Sequence, residues 1–171
     1  MAEAPPASLE TGLALAEQRR VTLKSLIRSN PEAALLQAIP WRLRVRLPEE
    51  IVAQLEERVS ATAKFSVLAA VPAPGRDYDG PAIRRTARIG DAFYEAHVYG
   101  TRAGVNSKDQ LPVEGIAVDD QLAILDSPLR RLEADEPLPG DPVPVVSPEH
   151  DGGSAATASQ IWVSGGRAYE L

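Results

Sequence analysis

The chain of 171 residues is long enough for one ordinary hydrophobic core and too short for two full domains. Hydrophobic residues make up 44% of it and charged residues 25%, which is typical of a globular rather than a disordered protein. The net charge of −6 argues against nucleic acid as a partner, and the lack of cysteine excludes disulfides, thiolate metal sites and cysteine nucleophiles.

The N-terminus and the apolar runs bear on localisation. No apolar run approaches the length that spans a bilayer, so no membrane span is expected. Residues 1–6 have neither the basic start nor the apolar core of a signal peptide. Two origins therefore fit: a cytoplasmic protein, or an excised domain of a secreted or periplasmic protein with an added start methionine.

The first third of the chain carries helical patterns. Apolar residues recur at three- and four-residue spacing and predict helices over 9–29, 31–38 and 48–59. Ser8 is the expected N-cap of the first helix, and Pro31 suits the first position of the second.

From Phe65 the pattern changes from helical to alternating. Turn residues predict hairpins that reverse near Gly90, Asp119 and Gly165. The predicted strands are 65–71, 83–89, 93–99, 111–118, 122–125, 129–132, 161–163 and 167–169. The fold class is therefore α+β, with N-terminal helices followed by an antiparallel β-sheet or a small barrel built from hairpins.

The domain organisation follows from these elements. A disordered N-terminus over 1–7 precedes a single α+β domain over 8–133. Five prolines make 134–159 an extended linker that is first proline-rich and then polar, and 160–171 is a hairpin that packs on the domain. The residues expected in the core are Leu13, Leu23, Ile27, Leu35, Ile51, Leu55, Val67, Tyr94, Val98, Ile116, Leu122, Leu125 and Trp162.

Catalytic motifs are not found in the sequence. The two histidines, His97 and His150, stand far apart and outside any HExxH motif, so no metal site of the common zinc types and no cofactor is expected. His97 lies in a predicted strand, which favours a hydrogen-bonded structural role. Asp119 and Asp120 favour a turn over an acid–base pair, and no serine lies in G-x-S-x-G. These absences predict a protein that is not an enzyme.

The segment Trp41–Leu47 is unusual because arginine alternates with apolar residues. Strand alternation would place Arg42, Arg44 and Arg46 on one face. Three roles are open for these arginines: a patch that faces an anionic partner, a charged edge that prevents pairing between sheets, or internal salt bridges. The acidic chain favours the edge or the salt bridges.

Several stretches resemble the N-terminal, non-catalytic region of large secreted bacterial proteins, including predicted zinc metallopeptidases. They are LAEQRR (15–20), LIRSNPEAAL (26–35), EERVS (56–60), YEAHVYG (94–100), GIAVD (115–119), LA (122–123) and SPLR (127–130). The resemblance implies a propeptide that assists folding, confers latency, or does both, with a peptidase domain as its protein partner. The alternative is an interaction or scaffold module of a larger extracellular protein with no inhibitory role.

A mechanism for latency would need a zinc ligand other than cysteine. Asp141 follows Gly140 in the proline-stiffened segment Leu138–Pro142, and an aspartate oxygen is a competent zinc ligand that can displace the catalytic water. Gly140 and Asp141 are therefore candidate partner-facing residues. The alternative for Asp141, which we favour, is an ordinary turn in a linker.

Overall fold

The computed structural model describes residues 6–69, 75, 83–104, 106–145 and 160–170. The helices are α1 (Pro6–Ser29), α2 (Pro31–Leu36), α3 (Trp41–Arg44) and α4 (Glu49–Val52). The strands are β1 (Glu57–Ala69), β2 (Ile83–Ile89), β3 (Ala92–Val98), β4 (Lys108–Val118), β5 (Gln121–Ile124), β6 (Arg130–Arg131), β7 (Val143–Pro144), β8 (Ile161–Ser164) and β9 (Arg167–Glu170). No helix within these described ranges has the length and apolar character needed to cross a membrane.

The first two predicted helices are confirmed. The first begins at Pro6, so the predicted N-cap Ser8 lies inside the helix and that assignment is wrong. Asn30 separates the first two helices, and its side chain accepts a hydrogen bond from the Ala33 N–H at 3.0 Å. This cap, with proline at the next position, starts α2.

The third predicted helix is wrong over most of its length. α4 ends at Val52, and β1 begins at Glu57, eight residues before the predicted change of pattern. Val59, the last residue of the predicted helix, is instead a buried residue of β1. Alanine favours helix by intrinsic propensity, but tertiary packing overrides propensity in a half-buried strand. Ala63 accordingly lies buried in β1.

The first five strands close into a barrel in the order β1-β2-β3-β5-β4, which bears out the α+β fold class and its barrel form. The predicted turns at Gly90, Asp119 and Gly165 all lie between paired strands, and all three residues have positive φ. Within the barrel, one pair differs from the antiparallel expectation: β3 and β5 run parallel, because the β4–β5 hairpin turns back beside β3. Such a crossover connection makes a Greek-key barrel.

Two apolar clusters form the core. The barrel interior includes Phe65, Tyr94 and Leu122, and a second cluster joins α1 and α2 to the outside of β4 and β5 through Ile27 and Ile116. Among the predicted core residues, those buried are Leu23, Ile27, Leu55, Tyr94, Ile116 and Leu122. The partly buried ones are Leu13, Leu35, Ile51, Val67, Val98, Leu125 and Trp162.

A second, small sheet has the order β6-β8-β9-β7. The predicted terminal hairpin is confirmed as β8 and β9, and β6 pairs with β8. Val143 and Pro144, in the proline-rich segment, add a short strand parallel to β9. The predicted polar stretch beyond Val145 lies outside the described residues until Gln160.

Candidate functional site

The arginine-rich segment is not a strand. Residues 41–44 form the short helix α3, and hydrogen bonds of the helical type continue to Leu47. The predicted alternation is therefore wrong, because residues two apart on a helical turn do not share a face. Arg42 and Arg46 are exposed, whereas Arg44 is 7% exposed.

Arg44 is held by a buried carboxylate, Glu56. Its Nη1 lies 3.2 Å from Glu56 Oε1, and its Nη2 donates to the Glu56 carbonyl oxygen at 2.7 Å. Burial lowers the pKa of Arg44, although Glu56 opposes this effect. The Ile39 N–H and Arg19 also donate to the Glu56 carboxylate. Of the alternatives that the sequence left open, Arg44 therefore takes the internal salt bridge.

The remainder of this segment presents apolar side chains to solvent between exposed arginines. Leu43 is 45% exposed, Val45 57% and Leu47 37%. We call Arg42, Leu43, Val45, Arg46 and Leu47 the 42–47 surface. Its backbone is fixed by turn hydrogen bonds and by the buried Arg44, so the surface is preorganised.

The predicted residues Gly140 and Asp141 are exposed, close in sequence to a second group of exposed apolar residues. Gly140 has a φ of 125° with open space around it, so the chain bends here in a way that only glycine readily allows. Leu138, Val143 and Val145 are each about half exposed. We call residues 138–145 the proline-rich strip. No described contact brings it together with the 42–47 surface.

A second buried carboxylate, Glu114, was not identified from the sequence. Ser60 Oγ and the Gly165 N–H donate to its Oε1 at 2.7 and 2.9 Å, and Arg130 Nε donates to its Oε2 at 2.8 Å. Burial raises the pKa of Glu114, while these hydrogen bonds oppose the rise. A glutamate within the apolar run of β4 was the signal that could have found it.

The histidine and the paired aspartates have structural contacts. His97 Nε2 lies 2.8 Å from Oε1 of the buried Gln121, which agrees with the hydrogen-bonded structural role. Asp119, at the β4–β5 turn, accepts hydrogen bonds from Lys24 and Arg20, which lower its pKa. His150 lies outside the described residues. Within the described ranges, no three His, Asp or Glu side chains group together as metal ligands would.

Two surface cavities have volumes of about 330 and 270 Å³. The larger is lined by Arg20, Arg44, Glu56 and Asp119 among others, and these four are already ion-paired with each other or with neighbours. The smaller is lined partly by Arg58, which is paired with Glu133. The charged side chains named in both cavities are therefore engaged in ion pairs within the chain. We take the 42–47 surface and the proline-rich strip as the candidate sites. Comparison with family models, curated proteins and solved structures finds no match to this chain.

Proposed function

We propose that this chain is a non-catalytic, protein-binding module, and specifically a prodomain-like module that binds, helps fold or keeps latent a secreted bacterial metallopeptidase domain. The specific form rests on the sequence resemblance of residues 15–130. The general form is supported by the exposed surfaces of the described residues.

The observation that carries the proposal is the 42–47 surface. The exposed side chains of Leu43, Val45 and Leu47 add nothing to the stability of the chain itself while they remain in water. Full burial of such a side chain contributes about 1.5–3 kcal/mol, which is available to a partner that covers it. Because the backbone is already fixed by Arg44 and Glu56, little conformational entropy is lost on binding.

The rim of this surface also suits a protein interface. Arg42 and Arg46 are exposed on either side of the apolar residues, and arginine is enriched at protein interfaces. They would pair with carboxylates of the partner and fix its orientation, which mainly adds specificity and speeds association.

The proline-rich strip supports the latency form of the proposal. Asp141 is exposed beside the bend at Gly140, and a carboxylate in such a position can enter a cleft and ligate zinc in place of the catalytic water. The neighbouring Leu138, Val143 and Val145 offer apolar contacts for the walls of that cleft.

The first test is the open reading frame that encodes this chain. The prodomain proposal requires a domain with a HExxH zinc motif in the same reading frame. A reading frame with only repeats or anchoring modules would leave a scaffold module instead.

The second test adds the purified chain in trans to that peptidase domain. Wild-type chain should inhibit, and Arg42→Glu with Arg46→Glu should weaken binding measured by calorimetry. Asp141→Ala should reduce inhibition more than binding, whereas Glu17→Ala, which removes another exposed acid, should change neither. Equal inhibition by Asp141→Ala would remove the zinc-ligand role, and binding without inhibition would support the scaffold alternative.

A further inference from the structure

The outer face of strands β1, β2 and β3 carries a concentration of exposed basic and apolar side chains. Lys64, Arg84 and Arg88 are exposed, and so are Leu68 and Phe93, which are 62% and 64% exposed. Their chain neighbours Phe65, Ala87 and Tyr94 are buried in the barrel, so alternation along each strand directs this set outward. We call these five residues the β1–β3 face.

Strand register places these residues side by side. Lys64 lies opposite Arg88, and Arg88 lies opposite Phe93, so the three form one row across three strands. Leu68 lies opposite Arg84 in a second row on the same face. Directly opposite side chains on neighbouring strands have Cβ atoms about 4.5–5.5 Å apart.

The positive charge of this face is largely uncompensated. Like charges directly opposite each other destabilise a sheet, and Lys64 and Arg88 are such a pair. Lys64 Nζ lies 3.5 Å from Asp109 Oδ1, but both groups are well exposed, so that contact is weak. For Arg84 and Arg88, no ion pair or hydrogen bond to another side chain occurs within the described part of the chain. In contrast, the buried Arg44 is paired with Glu56.

We infer that the β1–β3 face binds an acidic polypeptide segment that carries apolar side chains among its carboxylates. Arg84 and Arg88 each offer a planar fork of donors that matches a carboxylate, and Lys64 adds a third cation. Phe93 and Leu68 provide the apolar contacts. The two rows are four residues apart along β1, roughly 13 Å at the rise of a strand, which a short extended peptide spans.

Nucleic acid fits this face less well than a polypeptide. Single-stranded nucleic acids bind by stacking successive bases on several aromatic side chains, and Phe93 is the only aromatic in the two rows. Glu95, two residues along β3 from Phe93, accepts a hydrogen bond from Gln121 and would repel a carboxylate and a phosphate alike, so the apolar contacts offered by Leu68 and Phe93 are what favour a peptide over a phosphate backbone.

This inference goes beyond the proposed function, because it names the chemistry of a partner at a different surface. It rests on that proposal only in requiring a protein partner. Variants of Arg46 test the 42–47 surface and variants of Arg88 test the β1–β3 face, so either can fail alone.

The test measures fluorescence anisotropy of a short labelled peptide in which Glu and Asp alternate with Leu, titrated with the whole chain at low ionic strength. Arg88→Glu should weaken binding by about tenfold, because it replaces an attraction with a repulsion. Phe93→Ala should weaken it by a smaller factor. Arg167→Glu makes the same charge change at an exposed position of β9 in the small sheet and should leave the affinity unchanged.

Three results would overturn the inference. The first is no binding of the acidic peptide at low salt. The second is equal affinity of wild type and Arg88→Glu. The third is tighter binding of a labelled oligothymidylate than of the peptide, which would identify a nucleic-acid surface instead. A circular dichroism spectrum of each variant that matches wild type ensures that lost binding is not lost folding.

Discussion

The barrel is joined to the helices and to the small sheet at two junctions that are built differently. Each has a fully buried carboxylate at its centre, Glu56 at the helix–barrel junction and Glu114 at the sheet–barrel junction. The helix–barrel junction also has an apolar cluster that includes Ile27 and Ile116. The buried Val163 and Ala168 of the small sheet belong to neither apolar cluster.

The difference predicts how each junction responds to change. Apolar burial is insensitive to pH, whereas a junction that depends on a buried carboxylate changes with its protonation. The helix–barrel junction should be the stronger because it adds apolar burial to its carboxylate. The sheet–barrel junction, which lacks such a cluster, should be the more sensitive to pH.

The largest effect is expected for Glu56→Ala. It leaves Arg44 buried without its counter-charge and removes the acceptor of the Ile39 N–H, so unfolding free energy should fall by about 3–5 kcal/mol. Urea denaturation measures this loss. The exposed Glu17→Ala should stay within about 0.5 kcal/mol of wild type.

A double variant sharpens this prediction. Arg44→Met combined with Glu56→Leu removes both charges and should recover part of the lost stability, because no charge is then buried unpaired in that pair. If Glu56→Ala alone cost less than the exposed control, the helix–barrel junction would not depend on this ion pair.

A somewhat smaller loss is expected for Ile116→Ala in the apolar cluster of the same junction. Ile116 is 1% exposed, and truncation should cost about 2–5 kcal/mol because a cavity remains between α1 and the barrel. Leu55→Ala should act in the same range. Leu68→Ala, on the exposed β1–β3 face, is the control, and melting temperatures unchanged for both core variants would place the core elsewhere.

The sequence predicted well where the local pattern and the tertiary packing agree. The strand 83–89 was placed at its observed bounds, and the turns at Gly90, Asp119 and Gly165 follow from residues that tolerate positive φ. The fold class followed from the order of these elements.

The errors lie where distant residues decide the structure. Residues 57–59 were predicted as the end of a helix, whereas pairing with β4, more than fifty residues away along the chain, makes them a strand. The alternation in Trp41–Leu47 suggested that its three arginines share one face, whereas a helical turn separates them and Arg44 pairs with the buried Glu56. The parallel pairing of β3 with β5 likewise depends on a contact that no local pattern encodes.

At the sheet–barrel junction, Glu114→Gln should cost about 1–3 kcal/mol, because an amide cannot accept all the hydrogen bonds that Ser60, Gly165 and Arg130 donate. The pKa of Glu114 is raised in the folded state, so its contribution to stability is complete below its ordinary value of 4.5 and is lost as pH rises through the folded pKa. The difference between wild type and Glu114→Gln should therefore shrink as pH rises. Thermal melts between acidic and neutral pH measure it, and a difference that grows with pH would contradict a raised pKa.

The smallest effect, with the opposite sign of pH dependence, is expected for Asp119→Asn at the surface of the helix–barrel junction. Asp119 is 46% exposed and pairs with Arg20 and Lys24 of α1, so its loss at neutral pH should be at most about 1 kcal/mol and should shrink further in high salt. Hydrogen bonds from Lys24 and Arg20 lower the pKa of Asp119, so its contribution is present above its ordinary value of 3.8 and is lost as pH falls through the lowered value. Asparagine also tolerates the φ of 53° at this turn, so the substitution removes the charge without straining the backbone. Wild type and Asp119→Asn should therefore converge in melting temperature as pH falls, whereas wild type and Glu114→Gln should diverge. If the difference in melting temperature changed with pH in the same direction for both variants, the two junctions would not differ in electrostatics.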